Sequence, residues 1–216
     1  MQLRANNFLD EIIGPLQPET ITTIYGPPSI GKSNISYIYL IEALKIGKKV
    51  VFIDTENGFS VERLKQMKPE IKLENVIVFS PRSFDDQQKT VYKLVNGMKD
   101  IKNVGLLIFD SLAMLYRLKL GDDPKGINKA FAEQLRLLME ISRQYRIPVL
   151  VINQMYYHFE TKEKKFIGGS IVDYWSKVIV EVDYDDDNKR FVKLVKHKFR
   201  EESGPRVFEI IKEGLR

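Results

Sequence analysis

The octapeptide Gly26-Pro27-Pro28-Ser29-Ile30-Gly31-Lys32-Ser33 constrains this chain more than any other stretch. It falls between a strand pattern at residues 22–25 and a mostly apolar helical pattern at 32–44 that stops before Gly47. In that context two glycines flanking four residues, then Lys and Ser, form a loop that wraps phosphate. Gly26 and Gly31 let backbone N–H groups close around oxygen atoms, and the helix that opens at Lys32 aims the positive end of its dipole at them. Lys32 is placed to neutralise β- and γ-phosphate charge, and the Ser33 hydroxyl to bind Mg2+. The expected cradle is Gly26, Pro27, Pro28, Ser29, Ile30, Gly31, Lys32, Ser33 and Asn34, with an ordinary glycine-rich turn as the alternative.

Downstream, strand and helix patterns alternate. The apolar run at 49–54 suits a strand covered on both faces, as in a parallel sheet, 105–110 reads as a buried strand, and 76–79 and 148–152 supply further strands. Ser83 with Asp86 starts one helix in the manner of a capping box, and Phe131, Leu135, Leu138 and Ser142 line one face of another. Between these, Gly121, Pro124 and Gly126 read as loop. The pattern then changes to a β-meander: 178–182 and 191–195 flank an acidic turn, and 206–211 supplies a further antiparallel strand. An α/β fold follows, with a mostly parallel central sheet, helices on both faces and a C-terminal antiparallel extension, in one domain over residues 1–216.

Composition narrows the chemistry. With no Cys among 216 residues there is no disulfide, thiolate nucleophile, iron–sulfur cluster or cysteine zinc site, and His158 and His197 stand too far apart to seed a metal site. The formal charge of +5 permits anionic partners without demanding them. No apolar run reaches the ~20 residues needed to span a bilayer, so a reducing, cytoplasmic, membrane-free setting is expected.

Two further acids complete the phosphate reading. Leu106-Leu107-Ile108-Phe109-Asp110 ends a hydrophobic strand on a carboxylate that can share the metal with Ser33. Glu56, just past the strand at 49–54, can polarise an attacking water, its alternative being a solvated strand-end acid. No Asn-Lys-x-Asp signature for guanine occurs, which favours ATP.

Ile24-Tyr25-Gly26-Pro27-Pro28 with Gly31-Lys32-Ser33, Ile53-Asp54-Thr55-Glu56, Ile108-Phe109-Asp110-Ser111, Asn153-Gln154 and Ile167-Gly168-Gly169 occur in the order found in RecA-type recombinases. Over residues 7–211 the chain resembles that family, in particular an archaeal paralogue branch. The resemblance implies a RecA-like P-loop ATPase core using ATP and Mg2+, with Glu56 as the water-activating residue, Lys32 on the phosphates, and Gln154 sensing the γ-phosphate and communicating with DNA. It also implies two DNA-facing loops, matching 115–128 and 155–167. The first supplies Arg117 and Lys119; the second supplies Tyr156, Tyr157, Lys162, Lys164 and Lys165, a mixture of cations and rings that suits single-stranded or sequence-independent DNA. The alternative is that these rings pin the loop to the core or to a partner chain.

Lys196-His197-Lys198, followed by Phe199 and Arg200, resembles the paired lysines with which bacterial RecA contacts ATP bound to the adjacent subunit, with a solvated basic surface and DNA or partner contact as the competing readings. Only 25 residues precede Gly26 and they hold no Phe-x-x-Ala segment, so a preceding helical DNA-binding domain and filament formation are not expected. Ser29-Ile30 replaces the family's more usual Gly-Ser or Glu-Ser, which points to a reshaped cradle and slow hydrolysis. The implied role is a DNA-binding, weakly hydrolysing recombinase paralogue in repair, acting as mediator or regulator, with the main recombinase or a repair nuclease as partner and a homodimer as the assembly. A KaiC-like signalling ATPase without DNA binding and a hexameric helicase motor are the alternatives.

Overall fold

The strand, glycine-bounded turn and helix at the head of the chain are β1 (Ile21–Gly26) and α2 (Lys32–Lys45), preceded by a single-turn helix α1 (Leu9–Ile12). The computed structural model describes residues 1–121, 123–157 and 164–216. After α2 come β2 (Lys49–Asp54), α3 (Val61–Met67), β3 (Val76–Phe79), α4 (Phe84–Gly97), β4 (Val104–Asp110), α5 (Met114–Lys119) and α6 (Pro124–Tyr145). The remainder is β5 (Val149–Tyr157), β6 (Lys164–Phe166), α7 (Gly169–Trp175), β7 (Val178–Tyr184), β8 (Arg190–His197), β9 (Arg206–Val207), β10 (Ile210–Ile211) and β11 (Gly214–Leu215).

The main sheet runs β3-β2-β4-β5-β1-β7-β8-β9, with β6 paired to β5. From β3 to β7 every pairing is parallel; β8 and β9 are antiparallel. Alternate residues of the central strands feed two apolar layers. Ile24, Phe52, Ile108 and Leu150 pack under α1, α2 and α3, while Ile21, Val51, Phe109 and Val151 pack under α4, α5, α6 and α7. This two-sided burial is why the strands read as unbroken apolar runs. On α6, Phe131, Leu135 and Leu138 are fully buried, and truncating Phe131 to Ala would cost about 3–5 kcal/mol.

Local signals set the element ends. Helix α2 closes on Gly47 at φ 71°; Gly47 N–H donates to Leu44 O and Lys48 N–H to Ala43 O, the paired bonds of a Schellman motif. Ser83 Oγ accepts from Asp86 N–H to start α4, and Asp86 reaches back to Arg82 N–H.

Three expectations need correction. The stretch 115–128 is not all loop: among the described residues, 115–119 lie in α5 and 124–128 in the first turns of α6, because Asp123 caps α6 through Gly126 N–H with Pro124 in its first turn. Pro in the first helical turn has no N–H to leave unpaired, so it starts a helix here rather than breaking one. The last third is not a pure meander, since β7 returns through α7 to lie parallel to β1; its apolar run is covered on both sides, as a parallel strand requires. Finally, 206–211 divides into β9, which pairs with β8, and β10, which pairs with β11.

Candidate functional site

Parallel pairing brings the expected phosphate-site residues to one edge. Gly26 lies level with Gln154, and Asp54 with Asp110, so the carboxyl ends of β1, β2, β4 and β5 open together, where open α/β sheets bind ligands. They surround a cleft of about 290 Å³ lined by Pro28, Ser29, Gly31, Lys32, Ser33, Asn34, Glu56, Asp110 and Gln154.

The cradle is built by backbone that side chains would obstruct. A Cβ on Gly26 would stand 2.0 Å from Val182 O, and Gly31 has φ 115° with Ile210 Cδ1 3.0 Å from where its Cβ would be. Ser29 takes φ 60°, so left-handed residues bracket Ile30, the kind of backbone alternation that makes an anion-binding nest. Ile30 is fully buried in the apolar layer. Its bulk therefore faces the core, and the departure with a backbone consequence is Ser29 in a conformation glycine adopts more readily.

Lys32 is buried, its Nζ donating to Gly26 O at 3.0 Å and Pro27 O at 2.7 Å. Burial lowers its pKa, opposed by the carboxylates of Asp110 and Glu56. Ser33 Oγ donates to Asp110 Oδ2 at 2.7 Å. Burial pushes the Asp110 carboxyl up to about 6; the Ser33 hydrogen bond opposes this, the Glu56 carboxylate adds to it and the Lys32 ammonium pulls back. A hydroxyl and a buried carboxylate in contact beside an ammonium over an N–H nest fit a magnesium nucleoside triphosphate: cation for metal, donors for phosphate.

Glu56 is held by a network that sequence patterns do not announce. The Asp54 carboxylate accepts from the N–H groups of Glu56, Gly58 and Phe59, and Tyr37 Oη bonds Gly58 O and Ser60 N–H. Across the cleft Gln154 Nε2 donates to Glu56 Oε1 at 2.7 Å. Arg63 on α3 ties Asn34 of the cradle to the C-terminal strands: its Nε donates to Asn34 Oδ1 at 2.7 Å and its Nη atoms to the carbonyls of Ile211 and Lys212. The Asp54 bond to Glu56 N–H, two residues on, has the form of an Asx-turn, which a lone Asp at a strand end does not by itself signal; nothing in the sequence points to Arg63.

Beyond Gln154, β5 continues into a hairpin with β6, pairing Met155 with Phe166, Tyr156 with Lys165 and Tyr157 with Lys164. A second cavity of about 500 Å³ at its base is lined by Tyr116, Arg117, Leu120, Tyr156, Ile167, Gly168 and Gly169. Arg117 and Tyr156 thus line one cavity, whereas Lys119 lies 3.6 Å from Asp85 and Tyr116 is buried against Phe131 with ring centroids 4.0 Å apart. Lys162 lies outside the described residues, as do the side chains of Tyr157, Lys164 and Lys165.

Lys196, Lys198 and Arg200 are not brought to this edge. His197 pairs with Val178 at the start of β7, so they sit at the far end of the sheet. There Lys196 Nζ donates to Asp173, Lys198 Nζ lies 4.9 Å from the Phe199 ring centroid, and Arg200 donates to the α1 carbonyls of Asp10 and Glu11.

A model of the Rad51 family matches residues 4–216. The chain belongs to the Rad51 family. Among curated members, the DNA repair and recombination protein RadB of Methanobrevibacter smithii is 37% identical over 99% of this chain and 95% of its own length. RadB of Methanosphaera stadtmanae is 36% identical over 98% and 94%. A crystal structure of the RadB recombinase superposes with a TM-score of 0.83 at 32% identity, covering 99% of this chain and 98% of that one. The RecA-like core and its Rad51-family connectivity are thereby established, and Rad51-family proteins in general are ATPases that use ATP with Mg2+. Among the described residues no helix is long and apolar enough to cross a membrane.

Proposed function

We propose that this chain is a DNA-binding, slowly hydrolysing ATPase of recombinational repair, in which the state of the nucleotide sets the hold on single-stranded or sequence-independent DNA. One observation supports it above the others. Gln154 joins the phosphate cleft, through its amide on Glu56, to the β5–β6 hairpin, through its own backbone: Ile167 N–H donates to Gln154 O at 3.0 Å.

In this reading Lys32 and the N–H nest bind and orient phosphate, while Ser33 and Asp110 hold Mg2+. The bound nucleotide would supply a phosphoanhydride whose terminal phosphoryl group passes to water as its bond to the bridging oxygen breaks, the nucleoside diphosphate being the leaving group. Glu56 takes a proton from that water at its carboxylate, and Gln154 keeps Glu56 aimed at the cleft. Arg117, Tyr156, Tyr157, Lys162, Lys164 and Lys165 form the DNA face, with cations on phosphate and rings on bases. Lys196, Lys198 and Arg200, remote from this chain's own cleft, serve a neighbouring copy or DNA. The cellular role is to assist the main recombinase, or a repair nuclease, from one cytoplasmic domain acting as a homodimer.

Fluorescence anisotropy with labelled single-stranded DNA, with and without Mg-ATP, tests the reading. Binding at low salt whose affinity shifts about fivefold or more with nucleotide is expected, the lower range of ordinary coupling energies. No binding at low salt would favour a signalling module on the same fold, and processive unwinding would favour a motor.

A further inference from the structure

Two glutamine amides lie between α4, α6 and the sheet, outside the phosphate cradle. Gln87 on α4 and Gln134 on α6 are both fully buried. Gln87 Nε2 donates to Gln134 Oε1 at 2.7 Å and to Leu112 O at 3.1 Å. Gln87 Oε1 and Gln134 Nε2 find no hydrogen-bond partner among the described residues. A buried amide with half its capacity unmet is destabilising relative to an apolar side chain of the same shape. The layer around the pair, with Phe84, Val91, Leu135 and Leu138, is apolar and suited to such a side chain. Stability alone therefore does not explain two amides here. What they add is direction: hydrogen bonds fix one register among α4, α6 and the Leu112 segment that apolar packing would leave free to slide.

That register bears on the cleft. Leu112 N–H donates to Ile152 O at 3.1 Å and Thr55 N–H to Asp110 O at 2.9 Å. Between them Thr55 Oγ1 donates to Ser111 O at 2.6 Å and accepts from Ser111 N–H at 3.0 Å. The segment gripped by Gln87 is thus clasped to the residue preceding Glu56 and continuous with Asp110. At the other end, α6 carries Phe131, whose ring stacks on Tyr116 and lies 2.6 Å from where a Cβ on Gly168 would stand. Tyr116 and Gly168 both line the cavity at the base of the hairpin.

We propose that Gln87 and Gln134 are positioning residues, holding residues 110–112, and through Thr55 the Glu56 loop, in register with the helix that supports the DNA-facing cavity. The inference rests on the nucleotide-dependent DNA binding proposed above. In Gln87→Met, close to isosteric, Leu112 O loses its donor and Gln134 its partner while the layer stays filled.

The experiment compares this variant with the wild type by calorimetry with Mg-ATP, single-turnover phosphate release and DNA anisotropy. The variant should bind Mg-ATP with unchanged affinity, release phosphate about tenfold more slowly, within the range that displaced supporting groups cause, and lose the shift in DNA affinity on adding nucleotide. A lower melting temperature with turnover and nucleotide response both intact overturns the proposal. Should Gln87→Met fail to fold, hydrogen exchange on the wild type decides. Mg-ATP should slow exchange at Leu112 and around Gln87 and Gln134, and protection confined to residues 26–34 overturns the proposal. Wild-type protein that takes up no Mg-ATP removes the nucleotide reading and this inference together; normal wild-type coupling with an indistinguishable variant removes the inference alone.

Discussion

Gln154 Nε2 and Glu56 Oε1 meet at 2.7 Å across the cleft, one at the C-terminal part of β5 and the other just beyond β2. Replacing Glu56 with Gln preserves an oxygen that can accept this hydrogen bond and removes the capacity to take a proton. Hydrolysis in Glu56→Gln should fall by about a hundredfold or more, the contribution of a positioned general base, with nucleotide affinity retained. Phosphate release and calorimetry on the same preparation check both halves, and unchanged turnover would remove Glu56 from the mechanism.

Asp110 carries a pH signature. Its pKa in the folded chain, about 6, lies above its ordinary 3.8, so the native state holds an extra proton in the interval between. Nucleotide-free stability should therefore fall as pH rises through that interval and remain lower above it, by about 3 kcal/mol. Asp110→Asn removes the effect while keeping an acceptor for Ser33. Free of nucleotide it should melt about 5 °C or more above wild type at pH 7.5, with the gap closing near pH 4. It should also lose magnesium-dependent nucleotide binding. Calorimetric scans across pH 4–8 measure the first effect, and equal melting temperatures at pH 7.5 would refute it.

Gly26 tests the cradle's geometry. A methyl group there would press on a backbone carbonyl, Val182 O at 2.0 Å, which no side-chain rotation relieves. Gly26→Ala should destabilise the chain by about 3 kcal/mol, the upper range for overpacking, visible as a lower urea midpoint at unchanged slope. Wild-type stability would mean that β1 and β7 separate more easily than their pairing indicates.

On the proposed DNA face, replacing Lys162, Lys164 and Lys165 together by Ala should weaken binding of single-stranded DNA and flatten the slope of log affinity against log salt by about 2, if each lysine meets one phosphate. Anisotropy titrations at several salt concentrations measure that slope. An unaltered slope would exclude these lysines as phosphate contacts.

The parts of the molecule that could be read in advance were those in which local chemistry and tertiary structure agree. The octapeptide sits between β1 and α2 because glycines, a lysine and a helix start coincide there, and Asp110 stands at the end of an apolar run because buried parallel strands end at the ligand edge. The misread parts depend on long-range partners or ambiguous punctuation. Pro124 can end a loop or begin a helix, and Asp123 as the cap decides which. The run 178–182 reads as strand in any setting, and its parallel pairing with β1 becomes evident only once α7 supplies the crossover. Gln87, Gln134 and Arg63 gave no signal, since isolated polar residues on helices are ordinarily solvated and their partners lie far away in sequence.

The central claim is that the edge formed by Gly26, Lys32, Ser33 and Asp110 holds a magnesium nucleoside triphosphate. Isothermal titration of the purified chain with Mg-ATP tests it most directly. One nucleotide should bind per chain with measurable heat, with binding lost on chelating magnesium and in Lys32→Ala. Absence of heat, together with no rise in melting temperature at millimolar nucleotide, would contradict it.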